Sequence, residues 1–526
     1  MDAAVSDTKP EFNPWLIAMV VSLAAFMEVL DTTITNVSLS HIAGTLGASQ
    51  NESTWVLTSY LVANGIVLPL SGWLSGVLGR KRFFMLCIGG FTAASLACGL
   101  SNSLIMLIMC RLVQGFAGGG LQPTQQAIII DAFPPEKRGT AFGITGITMI
   151  VAPILGPTLG GYITDNFSWQ WIFFMNVPVG ILAFYLVGRM VQDPSHATAK
   201  GLISIDYIGL SLIALGLGAL QIMLDKGQQE DWFASNFILT FGIIAAVCLV
   251  AAVIHLLNQD DPVIDLRLLA KPSFGLSCIM IFFTGVCLYG GSTLLPILVQ
   301  SSFGYDATLA GLVLSPGGLA VVFLMPLAGR LVNYVPSRYL VALGMALCAC
   351  GMWHTMHMSS QTDYATFVSM RIMQVVGLPF LFVPISTLAF MDIPKEKSSK
   401  ASAIYAMSRN LGGSIGIATV TSFVERHQQS RQAYLADHFS PADDSYQSNF
   451  ANYLQSVTEH GGKMINSVHI AAGRMFHELQ HQADLLAFGD AFMLMSVTMG
   501  TLAFVALLMP NNNPHARKAA AAESAH

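Results

Sequence analysis

The chain has 526 residues, of which 53% are hydrophobic and only 10% are charged, and its formal net charge is -5. Soluble domains carry about 25% charged residues, so this composition excludes an ordinary soluble protein and indicates one that crosses a membrane many times. The acidic balance also argues against a nucleic-acid partner.

The N-terminal leader and the cysteines carry no targeting or redox signal. The leader MDAAVSDTKPEFNP is acidic, and the apolar stretch after it is longer than the core of a cleavable signal, so we expect the first helix to stay. All eight cysteines lie in apolar runs, which is typical of small buried side chains rather than of disulfides or metal ligands.

Apolar runs long enough to cross a bilayer recur fourteen times along the chain. A transmembrane helix needs about 20 predominantly apolar residues. The sequence therefore predicts an all-α polytopic membrane protein with fourteen transmembrane helices. The runs lie near residues 15–37, 54–76, 83–101, 104–131, 139–163, 169–191, 206–224, 236–257, 274–300, 308–332, 338–358, 364–391, 400–424 and 487–509.

Lysine and arginine predict the orientation of these helices. If the N-terminus is cytoplasmic, seventeen basic residues fall in cytoplasmic segments, whereas the short external loops hold only Lys226. Basic residues concentrate in cytoplasmic loops, and long loops escape this rule. We therefore expect both termini in the cytoplasm and the long segment 425–486 outside.

An internal repeat divides the chain. At offsets of about 257 to 260 residues, GWLSGVLGRKR is echoed by GRLVNYVPSR, and RLVQ by RIMQ. Paired halves around a midplane site are the architecture of secondary transporters. The sequence predicts a six-helix bundle in residues 1–195, a linker with two inserted transmembrane helices in 196–262, and a second six-helix bundle in 263–526.

Five motifs in chain order carry a resemblance to a known family. They are LDTTITNVSLSHIAGTLG (30–47), RLVQG (111–115), APILGPTLGGYI (152–163), WQWIFFMNVPVG (169–180) and LQIMLDKGQQEDWF (220–233). Together they resemble the major facilitator superfamily, specifically its fourteen-helix drug:proton antiporter branch and, within that branch, the EmrB-type multidrug exporters.

The resemblance implies a transporter of the bacterial inner membrane, not an enzyme, that needs no cofactor and is driven by the proton gradient. It identifies Gly156, Pro157, Gly160 and Gly161 as the antiporter motif. The same small residues are also typical of close helix packing in membranes. Packing and a role in transport are compatible, so both interpretations stay open.

The sequence departs from the family pattern at three positions. Gly76 stands where the family commonly has Asp, so the charged gating contact expected there is in doubt. Ser40 replaces the usual Pro of the first-helix motif. Glu28 is not the usual residue of that motif either, and its role therefore cannot be taken from the resemblance.

Few ionisable residues lie inside the predicted spans: Glu28, Asp31, Arg111, Arg371 and Arg409. Such residues are costly in a bilayer and are candidates for function. At a rise of about 1.5 Å per residue, Asp31 lies about 9 Å and Arg111 about 10 Å below the external ends of their spans. The two side chains are therefore predicted at the same depth.

A carboxylate near a movable arginine suits proton coupling, because burial favours the neutral acid and the guanidinium favours the carboxylate. We expect Asp31 and Glu28 to take a proton when facing outward and to release it inward as a lipophilic substrate enters, with Arg111 biasing that release. A purely structural ion pair of Asp31 with Arg111 is the competing interpretation, and Glu28 in that case only faces a water-filled cavity.

The substrate cavity is predicted around four polar residues. Arg371 and Arg409 place positive charge in the second half, which attracts weakly acidic substrates, and Asn36 and Gln114 complete the predicted cavity. An alternative is an exporter of one specific metabolite, such as a siderophore or a fatty acid. A passive channel fits poorly, because nothing resembles a filter loop or a ring of like charges.

The segment HELQH (477–481) raises a distant enzyme alternative, a membrane zinc protease that uses His477, Glu478 and His481. No suitable third ligand follows the pair. The neighbouring residues instead predict an amphipathic helix that places the histidines on its polar face. Its predicted apolar residues are Met464, Val468, Ala472, Met475 and Leu479.

The segment 425–486 is predicted to form two short helices separated by Gly461 and Gly462. Both helices have apolar faces, which indicates a contact surface. The resemblance implies a partner here, a periplasmic adaptor of the EmrA type that leads to an outer-membrane channel. The alternative is that the segment only folds over its own transporter.

Overall fold

A computed structural model describes residues 12–193, 206–260, 262–437, 444–459 and 464–510. Within these ranges every regular element is a helix, which confirms the predicted all-α class. Basic residues Lys9, Lys200, Arg517 and Lys518, on which part of the orientation prediction depends, lie outside the described ranges.

In the described part of the chain, the first half and the inserted pair form eleven α-helices. Helix breaks at Gly119 and Gly120 divide the fourth predicted span in two. The helices are α1 (Pro14–Leu46), α2 (Gln50–Ser53), α3 (Trp55–Leu78), α4 (Arg80–Gly99), α5 (Leu104–Gly118), α6 (Leu121–Ala132), α7 (Pro135–Asn166), α8 (Trp171–Phe174), α9 (Asn176–Met190), α10 (Tyr207–Lys226) and α11 (Asn236–Asn258).

The second half forms eight further α-helices in the described ranges. They are α12 (Pro272–Ser301), α13 (Ala307–Leu331), α14 (Ser337–Thr355), α15 (Tyr364–Val375), α16 (Pro379–Ala389), α17 (Ser398–Asp437), α18 (Asp444–Glu459) and α19 (Met464–Ala506).

All fourteen predicted spans coincide with helices in the described part of the chain. Twelve of these helical stretches are long and apolar enough to cross a membrane. The other two predicted spans, 338–358 and 400–424, fall on α14 and α17. These helices pack against α19 and α12, respectively, within the bundle. Their full membrane crossing, and hence the count of fourteen, stays a prediction.

The two halves repeat a helix break as well as a sequence motif. Gly119 and Gly120 separate α5 from α6, and the stretch around Gly377 separates α15 from α16. A Cβ at Gly119 would lie 2.7 Å from the backbone oxygen of Asn64, so only glycine allows this approach. Discontinuous helices at matching places in the two halves are typical of transporter binding sites.

The halves meet along α7 and α13, which lie side by side over most of their length. A Cβ at Gly143 would lie 3.2 Å from the backbone oxygen of Met325, and one at Gly311 would lie 2.6 Å from the Cα of Thr158. On the other side of the bundle, a Cβ at Gly72 of α3 would lie 2.8 Å from the Cα of Lys400. Small residues thus bring the helix backbones together, as at other membrane helix interfaces.

The inserted helices attach to the bundle through α10. This helix packs on α3 of the first half and also contacts α17 of the second. Asp225 accepts a hydrogen bond from Thr58, and Gln221 accepts one from Ser414 over 3.1 Å. The second inserted helix, α11, exposes many of its apolar side chains, as expected for lipid contact.

The last two long helices differ from the prediction. The predicted spans 400–424 and 487–509 belong to α17 and α19, which have 40 and 43 residues. The amphipathic run after Met464 is therefore not a separate short helix, because nothing in its sequence interrupts the helix before the membrane span. Gly461 and Gly462 lie outside the described residues.

The predicted apolar face of this run is also partly wrong. Val468 and Ala472 are exposed, whereas Ser467, Ala471 and Met475 are buried. These buried positions recur every four residues, so the buried face is displaced by about one residue from the predicted stripe.

Candidate functional site

Asp31 and Arg111, which the sequence places at one depth, form a buried ion pair. Asp31 lies on α1 and Arg111 on α5, and Nη1 of Arg111 is 2.5 Å from Oδ2 of Asp31. Their side chains are 1% and 0% exposed. Removing either partner would leave an uncompensated charge in an apolar bundle, so the two residues form one unit.

Groups on its own helix and on neighbouring helices hold Arg111 in place. Its Nε donates to the backbone oxygen of Val56 over 3.2 Å, and Nη1 also donates to Oε1 of Gln114 over 2.8 Å. The guanidinium carbon lies 4.3 Å from the ring centroid of Tyr60 and 5.5 Å from that of Phe173. Arg111 is thus held by hydrogen bonds and by aromatic faces.

The second oxygen of Asp31 is held by two amides. Oδ1 accepts from Nε2 of Gln114 over 3.1 Å and from Nδ2 of Asn176 over 2.7 Å. Asn176 also donates to the hydroxyl of Ser95 over 3.1 Å. Asn176 lies in the motif at residues 169–180, to which the sequence assigns no role, and Gln114 is predicted in a substrate cavity rather than beside Asp31.

Glu28 lies at the centre of a second buried network. Its Oε1 accepts from the Tyr60 hydroxyl over 3.1 Å and from Nδ2 of Asn64 over 3.0 Å. Its Oε2 accepts from the side-chain amide of Gln122, and the oxygen of that amide accepts from Arg409. All five side chains are buried. Glu28, which the sequence predicts to take a proton together with Asp31, therefore lies on a hydrogen-bonded path from the first half to the second.

Tyr60 joins the two carboxylate sites. Its ring lies beneath Arg111, and its hydroxyl donates to Glu28. Tyr60, Asn64 and Gln122 were not identified from the sequence. A neutral amide or a phenol in a membrane helix is a much weaker signal than a charge.

Arg371 repeats the arrangement of Arg111 without the carboxylate. Nη1 of Arg371 donates to Gln374 over 3.2 Å, as Arg111 donates to Gln114 three residues further along its own helix. Nη2 donates instead to the hydroxyl of Ser292 over 2.8 Å. Neither Arg371 nor Arg409 forms an ion pair with a carboxylate that the structure describes, and both are 1% exposed.

The glycines of the motif that the resemblance identifies on α7 allow a close approach to α1. A Cβ at Gly156 would overlap Thr33, and one at Gly160 would lie 3.1 Å from the backbone oxygen of Ile34. Pro157 lies inside α7, and the backbone oxygen of Gly161 accepts a hydrogen bond from Thr164 within the same helix. The glycines therefore set the distance between α7 and the helix that carries Asp31 and Glu28.

Two of the predicted cavity residues, Asn36 and Arg371, belong to neither carboxylate network, and Asn36 lies on the same helix as both carboxylates. Its side chain is exposed. It lies five residues after Asp31 on α1, which in a helix is a rotation of about 140° away from the carboxylate.

His477, Glu478 and His481 lie on α19. Glu478 accepts from Gln482 over 2.9 Å, and the His481 ring contacts Phe303 at a centroid distance of 5.9 Å. Among the described residues, no group of three or more His, Cys, Asp or Glu side chains could hold a metal ion. The third ligand that the protease alternative requires is therefore not found there.

A model of the family described as Major Facilitator Superfamily matches residues 21–417. The chain is 36% identical to the multidrug export protein EmrB of Escherichia coli K12 over 84% of this chain and 87% of that protein. It is 36% identical to the fatty acid resistance protein FarB of Neisseria gonorrhoeae over 81% of this chain and 83% of that protein. It is 30% identical to the colistin resistance protein EmrB of Acinetobacter baumannii over 95% of this chain and 97% of that protein.

Solved structures share the fold at low identity. The human organic anion transporter MFSD10 matches with a TM-score of 0.57 and 14% identity over 93% of this chain and 100% of that chain. The proton:xylose symporter XylE matches with a TM-score of 0.58 and 14% identity over 95% of this chain and 97% of that chain. At this level of identity the likeness concerns the fold alone.

Proposed function

Because the chain belongs to the major facilitator superfamily, we propose that it is a proton-coupled antiporter that exports lipophilic drugs or toxic compounds by alternating access. It is a multi-pass inner-membrane transporter of the EmrB type rather than an enzyme. The observation that carries the proton coupling is the buried pair of Asp31 with Arg111.

The proposed cycle uses this pair as the proton site. Open to the outside, Asp31 takes a proton from water and becomes neutral, which ends the attraction that holds Arg111. Open to the cytoplasm, the proton leaves as the substrate enters and Arg111 pairs with the carboxylate again. Glu28 titrates beside it, joined to it through Tyr60. No cofactor takes part, and the proton gradient supplies the driving force.

The proposed substrates are lipophilic and include weak acids. Two buried arginines, Arg371 and Arg409, form no ion pair with a described carboxylate and can receive the acidic end of a substrate. One named relative confers fatty acid resistance. This similarity favours the alternative of a dedicated fatty acid exporter over that of a siderophore exporter.

The proposed organisation keeps both termini in the cytoplasm. The bundles of residues 1–195 and 263–526 rock against each other along α7 and α13, while residues 196–262 add the inserted pair. The contacts of α10 with both α3 and α17 support its placement at the junction of the two bundles.

The long ends of α17 and α19 support an external partner. A helix of 43 residues is about 65 Å long, roughly twice the thickness of the hydrocarbon core, so α19 extends well beyond it. Its first turns expose Val468, Ile470 and Phe476, and the end of α17 exposes Tyr434. We propose that segment 425–486 binds a periplasmic adaptor that leads to an outer-membrane channel.

Proteoliposomes test the transport function. Purified protein should move a fluorescent lipophilic weak acid only when a pH gradient is imposed, and an ionophore that collapses the gradient should stop this movement. Transport that is equally fast with and without the gradient would reject proton coupling. Competition by a long-chain fatty acid but not by unrelated drugs would favour the dedicated exporter.

A deletion tests the adaptor. Replacing residues 430–480 by a short Gly/Ser bridge should spare gradient-driven transport in vesicles, but it should abolish drug resistance in cells and co-purification of the adaptor. If the shortened protein still retains the adaptor and confers resistance, the segment is only a cover over its own transporter.

A further inference from the structure

Gln122 is the hydrogen-bonded link between the carboxylate of Glu28 and the guanidinium of Arg409. Its amide nitrogen donates to Oε2 of Glu28, and its amide oxygen accepts from Nη2 of Arg409. Glu28 lies on α1 of the first half and Arg409 on α17 of the second half. One buried side chain thus connects a titratable group of one half to a cation of the other.

The backbone around Gln122 fixes its position. It is the second residue of α6, directly after the break at Gly119 and Gly120. A Cβ at Gly119 would lie 2.7 Å from the backbone oxygen of Asn64, so the break is held against α3, which also carries two of the partners of Glu28. Gln122 is only 4% exposed, so its side chain is largely shielded from water.

The groups around Glu28 lie on its own helix α1 and on five others, α3, α5, α6, α12 and α17. On α3, Tyr60 and Asn64 donate to it. Asp31 lies one turn along α1, and Arg111 of α5 reaches the network through the ring of Tyr60. On α12, Tyr289 lies within electrostatic range of both Glu28 and Arg409. Among the hydrogen bonds that the structure describes for these groups, only those of Gln122 connect Glu28 to the second half.

We propose that Gln122 is a positioning residue that transmits the protonation of Glu28 to the second half, an inference that rests on the proposed proton-coupled antiport. When a proton from water adds to Glu28, the carboxylate becomes a neutral acid. Hydrogen bonds to a charged acceptor are about twice as strong as those to a neutral one, so the Gln122 link weakens. The polarised bond from Arg409 weakens with it, and α17 is released from α6.

Infrared titration of purified protein tests the link without any substrate. The carbonyl band of the neutral acid at Glu28 is assigned by its loss in Glu28→Gln. Gln122→Met removes a hydrogen bond to the charged carboxylate, so the acid form should persist to a pH about one unit higher. Gln122→Asn, which is one methylene shorter and cannot span both partners, should show the same change.

A matched control lies one turn along the same helix. Gln125 is fully buried and donates to the hydroxyl of Ser22 on α1 over 3.0 Å, but it forms no described hydrogen bond with Glu28 or Arg409. Gln125→Met therefore removes the same kind of amide from the same interface. It should leave the titration of Glu28 within about 0.3 pH unit of the wild type.

A double variant tests whether Arg409 affects the titration of Glu28 through the Gln122 link or by direct electrostatic interaction. Arg409→Gln should shift the Glu28 titration in the same direction as Gln122→Met, and its effect should largely disappear when Gln122→Met is already present. An equal shift in both backgrounds, or a Gln122→Met titration like that of Gln125→Met, would overturn the proposal. Failure of transport in proteoliposomes would instead count against the proposed function, since the titration needs no substrate.

Discussion

Asp31→Asn is the variant that separates a proton site from a structural ion pair. Three donors converge on the two carboxylate oxygens: Arg111 on Oδ2, with Gln114 and Asn176 on Oδ1. An asparagine amide replaces one of these acceptors by an NH2 group, so a donor must face a donor. Because the pair is fully buried, we expect a loss of about 3–5 kcal/mol in unfolding free energy and a complete loss of gradient-driven export.

The double variant Asp31→Asn, Arg111→Gln removes both charges and gives the new amide an acceptor. It should recover about 1–3 kcal/mol relative to Asp31→Asn, because a neutral pair leaves no uncompensated charge. Export should nevertheless stay absent, since no group at this position can titrate. Thermal unfolding in detergent measures the first effect, and transport in proteoliposomes under an imposed pH gradient measures the second.

A partly exposed ion pair provides the control. Asp490 accepts two hydrogen bonds from Arg431 over 2.9 and 3.0 Å, but the side chains are 21% and 39% exposed. Asp490→Asn should therefore cost less than about 1 kcal/mol and leave export intact. If the Asp31, Arg111 double variant regains export together with stability, the buried pair is structural and the proton site lies elsewhere.

Three further predictions concern topology, Glu28 and the motif of α7. Reporter fusions after residue 200 should report the cytoplasm and those near residue 445 the outside, and the reverse result at either point would contradict the proposed fourteen spans. Glu28→Gln should change the pH optimum or substrate range of export more than its maximal rate, whereas an unaltered profile would make Glu28 a passive residue. Gly156→Ala should lower both thermal stability and export because its Cβ overlaps α1, while Gly44→Ala, which meets nothing within 4 Å, should change neither.

The helices were predictable because an apolar run of about 20 residues has few alternatives in a bilayer. The lengths of α17 and α19 were not predictable from the sequence, because hydropathy marks only the part of a helix that lies in lipid. Residues 425–437 and 464–486 are polar enough to leave the membrane, yet nothing in them stops a helix. Their helical state depends on packing between α17, α18 and α19, which a sequence pattern does not display.

The ion pair was predictable for a similar reason, because a charge within an apolar run is rare and demands a partner. The amide partners of Asp31 and Glu28 were not predictable from the sequence. Asn64, Gln122 and Asn176 lie on three different helices, and only the folded bundle brings them to Asp31 or Glu28. An amide costs less to insert than a charge, so many such residues serve no site, and sequence alone does not separate these three from the rest.

The two halves have kept the same arginine and glutamine pair but use it differently. Arg111 with Gln114 faces the carboxylate of Asp31, whereas Arg371 with Gln374 faces the hydroxyl of Ser292. A serine hydroxyl does not ionise near neutral pH and cannot neutralise an arginine, so we place the proposed proton site in the first half. The buried charge of Arg371 stays uncompensated by any described carboxylate, which is unfavourable in a membrane unless an anion completes the site. This asymmetry is the physical reason for assigning the proton to the first half and the acidic end of the substrate to the second.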